Sequence, residues 1–377
     1  MQEAAGVRTK EIRALTGLRG LAAIWVMVLH TEFTPHPWSL LRVFIDHGYL
    51  AVDLFFVLSG YVMALNYGWM FVDLVKGSEY STFLRKRFSR TYPLYFAATI
   101  VTSLLGFYGV IDLVSLRYES CATTAIIPNL LLYQAWSTPF SFCSLDPPGW
   151  SISTEWGAYI LFPILCRVTL YGSKYRPWAA TIFAALALLG LGLLSSRWLG
   201  EQGERFGPMN AYSDATIAPA IRCIAGFTLG LVSYRFSRSV WGIKMKENSA
   251  WGLTIALVLV VLLLFRGTDI PTVLLFPLLV VSLSADRGIM SALLGWGPVF
   301  FLGEISYSIY LVHFPVLMAA NKILASLPHY YREYAIDIGT WVPTLAISTL
   351  SYQLIERPAR RLLNSGIALR SRQTRII

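Results

Sequence analysis

Residues 15–30, LTGLRGLAAIWVMVLH, form an almost continuous apolar run that contains one arginine and ends in a histidine. A hydrocarbon layer of roughly 30 Å needs about 20 apolar residues per helix, and runs of similar length recur along the chain. Of its 377 residues, 55% are hydrophobic and only 14% are charged. This composition is too apolar for a water-soluble core, so the sequence predicts an all-α, polytopic bundle of transmembrane helices.

The sequence predicts ten membrane spans in one domain, residues 1–357, followed by a basic cytoplasmic tail, residues 358–377. The spans are 14–31, 46–68, 92–115, 153–172, 178–197, 216–235, 250–266, 269–285, 299–324 and 335–356. With the N-terminus inside, 22 of the 31 Lys and Arg residues fall on the cytoplasmic side and seven on the other. Because positive loops stay in the cytoplasm, we expect both termini there and a multi-pass protein of the cell's inner (plasma) membrane. No cleavage site follows the basic N-terminal stretch, so we expect the first helix to be retained.

The net charge of +10 does not predict a nucleic-acid partner, because the basic residues stand beside apolar runs rather than on an amphipathic surface. The tail either binds anionic membrane lipids or is simply solvated. Cys166 and Cys223 lie in apolar runs, where a thiol acts as a small hydrophobe. Cys121 and Cys143 share the long connection 116–152, predicted to be extracytoplasmic, and either form a disulfide or are two free thiols.

The first span carries two ionisable residues, Arg19 and His30, on one face. They are eleven residues apart, which places them within roughly 20° of one another and about 16 Å apart along a helix. Arg19 could instead extend to the inner head groups, and His30 could be an interfacial residue. A histidine is nevertheless the side chain best suited to accept a proton from a hydroxyl near neutral pH. The pair therefore indicates a buried polar track that ends at a candidate base.

Asp53 lies in the apolar second span, and Arg222 lies in the sixth. An isolated charge in a bilayer is heavily penalised, so each needs a partner. For Asp53 the options are Arg19, His30, a helix N-terminus or Arg222. Arg222 could pair with Asp53 or with Glu155, and it is also a candidate substrate-binding residue.

Glu155 and His313 are two further ionisable residues within predicted spans. Glu155 falls about one turn into the fourth span, at the predicted depth of His30. It could orient an imidazole, hold a sugar hydroxyl, or be a first-turn acid favoured by the helix dipole. His313, in the ninth span, is a second candidate base, a substrate-binding residue or a hydrogen-bonded packing residue.

Arg87 and Arg90 are three residues apart at the predicted cytoplasmic start of the third span, and so share a face. Guanidinium groups match phosphate oxygens, and coenzyme A carries three phosphates. Ordinary positive-inside anchoring also explains this pair. The sequence leaves both interpretations open.

Six segments in order make the chain resemble acyltransferase family 3, the polytopic O-acyltransferases of bacterial surface polysaccharides, peptidoglycan, Nod factor and some small molecules. No single segment is specific, but together they cover most of the chain. They are LTGLRGLAAIWVMVLH (15–30), GYLAVDLFFVLSGYVM (48–63), RFSRTYPLY (87–95), WSISTEWGAYILFPIL (150–165), ISYSIYLVHFPVL (305–317) and LIERPARRL (354–362).

The resemblance implies that His30 is the catalytic base or acyl-handling residue and that Arg19 belongs to the same site. It also implies that Arg87 and Arg90 bind an acyl-CoA donor, with acetyl-CoA as the family's usual donor, and that ten core helices have cytoplasmic termini. The implied acceptor is a glycan or lipid-linked saccharide. Many relatives carry an appended periplasmic hydrolase-like domain, which we do not expect in this sequence.

In the expected mechanism, His30, oriented by Glu155 or Asp53, activates a sugar hydroxyl against the thioester, with an acyl-histidine intermediate as a variant. Trp150 and Trp156, with Trp136, are candidate stacking platforms for the acceptor. We expect no metal requirement, and a homo-oligomer is possible. A secondary transporter with a buried Arg/Asp/His pathway is the main alternative, but no two matching broken-helix halves are found. A non-catalytic scaffold would leave the Arg19/His30 face unexplained.

Overall fold

The computed structural model describes residues 11–31, 39–72, 75–111, 125–136, 144–171, 175–198, 207–210 and 217–364. Within these ranges the regular secondary structure is helical and no strand occurs, so the all-α prediction is confirmed. Cys121 and Cys143 lie outside the described residues, as do residues 365–377 of the predicted tail. Cys166 and Cys223 are buried free thiols, as expected of small hydrophobes.

Fifteen α-helices can be traced in the described ranges, and each of the ten predicted spans overlaps at least one of them. They are α1 (Arg13–His30), α2 (Leu40–Asp46), α3 (Ala51–Tyr67), α4 (Gly77–Phe107), α5 (Ile126–Leu130), α6 (Gly149–Leu170), α7 (Arg176–Trp198), α8 (Ala218–Ser237), α9 (Val240–Glu247), α10 (Ala250–Leu263), α11 (Asp269–Leu283), α12 (Gly288–Leu294), α13 (Gly297–Glu304), α14 (Ser306–Ile323) and α15 (His329–Ser351). 3₁₀ turns follow α2 and α3. A π-turn at Tyr352–Glu356 continues α15 into a further helical stretch, 357–364.

Several helices are apolar enough for a membrane protein. Among the described residues, the continuous helical segment Leu40–Phe71 and the α7 segment Arg176–Leu193 are each long and apolar enough to cross a bilayer. Three bent pairs also qualify if each pair counts as one span: α9 with α10 (89°), α11 with α12 (94°) and α13 with α14 (68°). The count of ten spans and the cytoplasmic termini stay predictions.

Two predicted spans differ in shape from the observed helices. The ninth, 299–324, is broken at Ile305 into α13 and α14, because the hydroxyl of Ser306 and the guanidinium of Arg19 both donate to the Gly303 carbonyl that would continue the helix. The third, 92–115, begins earlier, at Gly77. Arg87 and Arg90 therefore lie inside α4 rather than at its start.

Helices α3 and α8 cross at a pair of glycines. A Cβ added at Gly60 would overlap the Phe227 carbonyl, and one added at Gly230 would overlap the Val57 carbonyl. Small residues at such crossings let membrane helices approach backbone to backbone. This close contact fixes the two helices that carry Asp53 and Arg222.

We predict opposite effects for the same substitution at two helical glycines. Gly230→Ala places a methyl group against backbone that cannot move aside, so the free energy of unfolding should fall by about 1–3 kcal/mol. Gly190 in α7 has open space at its Cβ position, so Gly190→Ala should be neutral or stabilising by up to about 1 kcal/mol. Thermal unfolding of the detergent-solubilised variants measures both. Equal midpoints would contradict the close α3–α8 contact.

Candidate active site

A cavity of about 800 Å³ lies between α1, α3, α4, α6 and α14. Most of its wall is apolar, but three arginines and one glutamate reach it from three different helices: Arg19, Arg87, Arg90 and Glu155. The cavity thus brings together the predicted donor-binding residues of α1 and α4. A wall that mixes apolar surface with a few convergent charges is typical of a ligand site.

Arg19 is anchored at the break between α13 and α14. Its Nη2 donates to the carbonyl of Gly303 at 3.1 Å and lies 3.4 Å from the hydroxyl of Ser306. Carbonyls in the last turn of a helix carry partial negative charge and favour a cation. The side chain is only half-buried and also lines the cavity, so Arg19 belongs to the site by position.

Arg87 and Arg90 present N–H donors to the cavity. Arg87 is buried, donates from Nη2 to the Tyr67 hydroxyl at 2.9 Å, and lies over the Tyr67 and Tyr159 rings. Its Nε is buried without a hydrogen-bond partner among the described residues. Arg90 is half-buried and forms no hydrogen bond or ion pair with the described part of the chain. Both side chains therefore keep donors for a ligand.

Glu155 is grouped with these arginines. Its Oε1 accepts a 2.6 Å hydrogen bond from the Tyr159 hydroxyl, which is also 3.2 Å from the Ser59 hydroxyl. Glu155 lines the cavity, and His30 does not. Ser151, one turn earlier on α6, contacts the Tyr310 hydroxyl of α14. A role for Glu155 in orienting His30 stays a prediction.

Asp53 and Arg222 form a fully buried ion pair, which confirms one of the predicted pairings. Arg222 Nε lies 2.9 Å from Oδ1 of Asp53 and Nη2 lies 2.5 Å from Oδ2, and Nη2 also donates to the Tyr49 carbonyl. The Trp150 ring stacks near the guanidinium at 5.6 Å. Arg222 donates to both carboxylate oxygens of Asp53. The burial of Asp53, Arg222 and Trp150 is therefore explained by their contacts with one another. Their catalytic or substrate-binding roles stay predictions.

His30 and His313 lie side by side, with ring centroids 5.3 Å apart. His30 Nδ1 is 2.8 Å from the Val26 carbonyl, and His313 Nδ1 is 2.7 Å from the Tyr310 carbonyl. A carbonyl oxygen can only accept a hydrogen bond, so in each ring Nδ1 carries the hydrogen and the neutral form has its lone pair on Nε2. The backbone thus fixes both imidazoles in the tautomer that a base with a reactive Nε2 needs.

The two histidines differ in accessibility. His30, the last residue of α1, is exposed, whereas His313 is 1% exposed and its Nε2 has no hydrogen-bond partner within the described residues. The rings of Phe314 and His30 pack nearly at right angles, with centroids 5.6 Å apart. A reactant can therefore reach His30 directly, and His313 supports it from within the bundle.

Tyr310, which the sequence analysis did not single out, connects the cavity to the histidines. It lines the cavity, its hydroxyl is 2.8 Å from that of Ser151, and its ring centroid is 6.0 Å from that of His313. The i, i+3 spacing of Tyr310 and His313 on α14 is the sequence signal that could have identified it. Because α1 and α14 run in the same direction, the polar track predicted on α1 is accompanied by one on α14.

Trp156 and Trp136 lie apart from the arginine cavity. Trp156 lines a separate groove with the first turns of α4 and packs against Phe88 and Tyr159. Trp136 donates from its indole to the Ser153 carbonyl. Stacking of an acceptor on either ring stays a prediction. In the described ranges no three His, Cys, Asp or Glu side chains converge as a possible metal site.

Comparisons with known proteins identify the family of the chain. The family model described as "Acyltransferase domain" matches residues 12–353. The acyltransferase MdmB of Streptomyces mycarofaciens is 27% identical over 382 residues, which cover 94% of this chain and 93% of MdmB. The peptidoglycan O-acetyltransferase OatA of Listeria monocytogenes is 25% identical, and the O-acetyltransferase OatA of Staphylococcus aureus is 22% identical. These alignments cover 93% and 92% of this chain but only 56% and 57% of the OatA proteins. No solved structure matches the chain.

Proposed function

This chain belongs to the acyltransferase domain family, and we propose that it is a multi-pass inner-membrane O-acyltransferase that moves an acyl group, in the first instance acetyl, from acyl-CoA to a glycan hydroxyl. The observation that carries the proposal is the connection between an arginine-lined cavity and a pair of histidines through Tyr310. The O-acetyltransferase relatives support the reaction class. We propose a glycan as the acceptor because one of these relatives, the OatA of Listeria monocytogenes, is named a peptidoglycan O-acetyltransferase.

The donor enters from the predicted cytoplasmic side, where Arg87 and Arg90 face the cavity. Both keep N–H donors for phosphate oxygens, and phosphates bound by guanidinium groups gain charge-assisted hydrogen bonds. The acyl-pantetheine arm then extends along α1 and α14 past Tyr310, over the distance of about 16 Å that separates Arg19 from His30 on a helix. This path places phosphates and thioester at opposite ends of one track.

The chemical step takes place at His30. The acceptor hydroxyl oxygen attacks the thioester carbonyl carbon while His30 Nε2 takes the hydroxyl proton; the carbon–sulfur bond breaks, and the thiolate takes the proton to give an O-acyl ester and free CoA thiol. In the acyl-histidine variant, Nε2 attacks the thioester carbon and expels the CoA thiolate; the hydroxyl oxygen then attacks the acyl carbon, the carbon–Nε2 bond breaks, and the hydroxyl proton passes to the thiolate. Either route uses the tautomer fixed by the Val26 carbonyl.

Arg90 provides the sharpest test of donor binding, because it has no hydrogen bond to lose within the described structure. We predict that Arg90→Gln raises KM for acetyl-CoA by about tenfold or more, the effect of losing one hydrogen bond to a charged group. Release of free thiol from acetyl-CoA, in proteoliposomes supplied with glycan fragments, measures it. Arg85→Gln, on the same helix but outside the cavity, is the matched control and should leave KM unchanged.

Two results would contradict the proposal in different ways. If the native protein releases no thiol with any glycan acceptor, the acyl-CoA donor is wrong. If the native protein is active and Arg90→Gln behaves like Arg85→Gln, the donor does not use the arginine cavity. A transporter would show substrate movement without acceptor-dependent thiol release.

A further inference from the structure

We propose that Arg360, held by the buried carboxylate of Glu356, is a fourth guanidinium group of the donor-phosphate site. This inference rests on the proposed function, in which the donor is acyl-CoA. Arg360 belongs to the segment 358–377 that the sequence analysis assigned to a basic tail. In the described structure this arginine instead pairs with Glu356, whose carboxylate contacts α14, one of the helices that line the cavity.

Glu356 connects Arg360 to the helix bundle. It ends the π-turn Tyr352–Glu356 and is 1% exposed. A π-turn adds one residue to a helical turn and thereby rotates the residues that follow, and such turns often occur at functional sites. One oxygen of Glu356 accepts from the Ser308 hydroxyl of α14, and the other accepts from Arg360 Nη2 at 2.6 Å.

The helical stretch 357–364 docks on α4 next to Arg90. Asn364 Nδ2 donates to the Ser89 hydroxyl at 3.2 Å, on the residue immediately before Arg90. On the other side of Arg90, the Thr91 carbonyl accepts from the Tyr307 hydroxyl of α14 at 2.7 Å. The residues before and after Arg90 thus contact the helical stretch 357–364 and α14, which are also the elements that carry Arg360 and the Ser308 partner of Glu356.

Arg360 acts electrostatically on both Arg19 and Arg90, so the four arginines form one cluster. The carboxylates that act electrostatically on Arg19 are Glu11, Glu356 and Glu155, so the four arginines leave an excess of about one positive charge around the cavity. Positive charges gathered at low dielectric repel one another unless an anion neutralises them. A ligand with several phosphate charges would remove the excess.

Unused donors support the same conclusion. The Nε of Arg360 and the Nε of Arg87 are both buried, and neither has a hydrogen-bond partner among the described residues. A buried donor left without an acceptor destabilises the protein, so these N–H groups indicate that an acceptor arrives from outside the chain. Phosphate oxygens are acceptors of the required charge. A role limited to pairing with Glu356 would leave the Nε group unexplained.

The test compares two thioesters that differ in their phosphates. Acetyl-CoA carries phosphates, and S-acetylpantetheine carries none. We expect Arg360→Gln to raise KM for acetyl-CoA by about tenfold or more, with kcat nearly unchanged, and to leave KM for S-acetylpantetheine within about twofold of the native value. Arg360→Lys should restore part of the affinity for acetyl-CoA, because it keeps the charge.

Two further variants control for structural damage. Arg361, the neighbouring exposed arginine, should give unchanged KM values as Arg361→Gln. Glu356→Gln combined with Arg360→Gln leaves no unpaired carboxylate, so it keeps the helix contact to Ser308 and should still show the loss for acetyl-CoA alone. This double variant remains informative if Arg360→Gln by itself fails to fold.

The outcomes separate this inference from the proposed function. If Arg360→Gln affects both thioesters equally, or neither, or no more than Arg361→Gln does, Arg360 does not bind the donor phosphates although the enzyme uses acyl-CoA. If the native protein turns over neither thioester, the proposed function fails and this inference fails with it.

Discussion

Asp53→Ala is expected to lower the free energy of unfolding by about 3–5 kcal/mol, because it removes the carboxylate that directly contacts the buried guanidinium of Arg222. Asp53 is 0% exposed and Arg222 is 1% exposed, and the carboxylate receives two of the hydrogen bonds of that guanidinium. The Tyr49 carbonyl accepts a third, but a carbonyl does not replace the full negative charge of the carboxylate. Most of the expressed variant should therefore aggregate or be degraded.

The measurement is the thermal midpoint and the yield of monodisperse protein in detergent. Asp53→Leu combined with Arg222→Met removes both charges and keeps apolar volume, and it should recover most of the stability. The partly exposed pair Lys76–Glu79, 3.9 Å apart, provides the matched control, since Glu79→Ala should change stability by less than about 1 kcal/mol. A double variant no more stable than Asp53→Ala would show that the pair does more than balance charge.

The sequence could limit the partners of Asp53 and Arg222 to a few options, one of which was the observed pair, because a buried charge without a partner is heavily penalised. Each residue lies within an apolar run, so each requires a partner of opposite sign at similar depth. The same reasoning predicted that Arg19 belongs to a polar track, and the structure places it in the cavity wall. Where one physical term is large, residue type and approximate depth narrow the choice of partner, and the structure then decides it.

The position of Glu155 could not be derived in this way. Its depth depends on where α6 begins and which turn faces α14, and an error of one turn moves a side chain by about 5.4 Å. The break between α13 and α14 depends on hydrogen bonds from Arg19 and Ser306 to the Gly303 carbonyl. Arg19 is hundreds of residues away from Gly303 in the sequence, and the bond from Ser306 depends on the local geometry of the chain. No periodicity in the apolar pattern reports such contacts.

Arg360 illustrates a third difficulty. In sequence it belongs to a cluster of arginines after the last apolar run, a pattern that predicts a solvated or lipid-bound tail. What distinguishes it from Arg361 is the π-turn, which directs Glu356 into the bundle and brings Arg360 with it. Both residues are arginines with the same charge, so only the helix geometry gives them different environments.

His30→Ala is expected to lower kcat for acyl transfer by about 10²–10⁴-fold, because the acceptor hydroxyl loses its general base while the phosphate site stays intact. KM for acetyl-CoA should change little. His47→Ala is the control: its Nδ1 lies 2.8 Å from the Val43 carbonyl, the same backbone interaction that His30 makes, but His47 does not line the cavity. A similar loss of rate per folded molecule in both variants would contradict a specific role for His30.

Accessibility then separates His30 from His313. His30 is exposed, so imidazole added to His30→Ala can occupy the vacated space and restore part of the rate; His313 is 1% exposed, so the same addition should not rescue His313→Ala. Intact mass of native protein incubated with acetyl-CoA alone distinguishes the two routes, since an acyl-histidine adds one acetyl group and direct transfer adds none. If imidazole rescues His313→Ala and not His30→Ala, the reacting base is His313, and the order of the two histidines along the track is reversed.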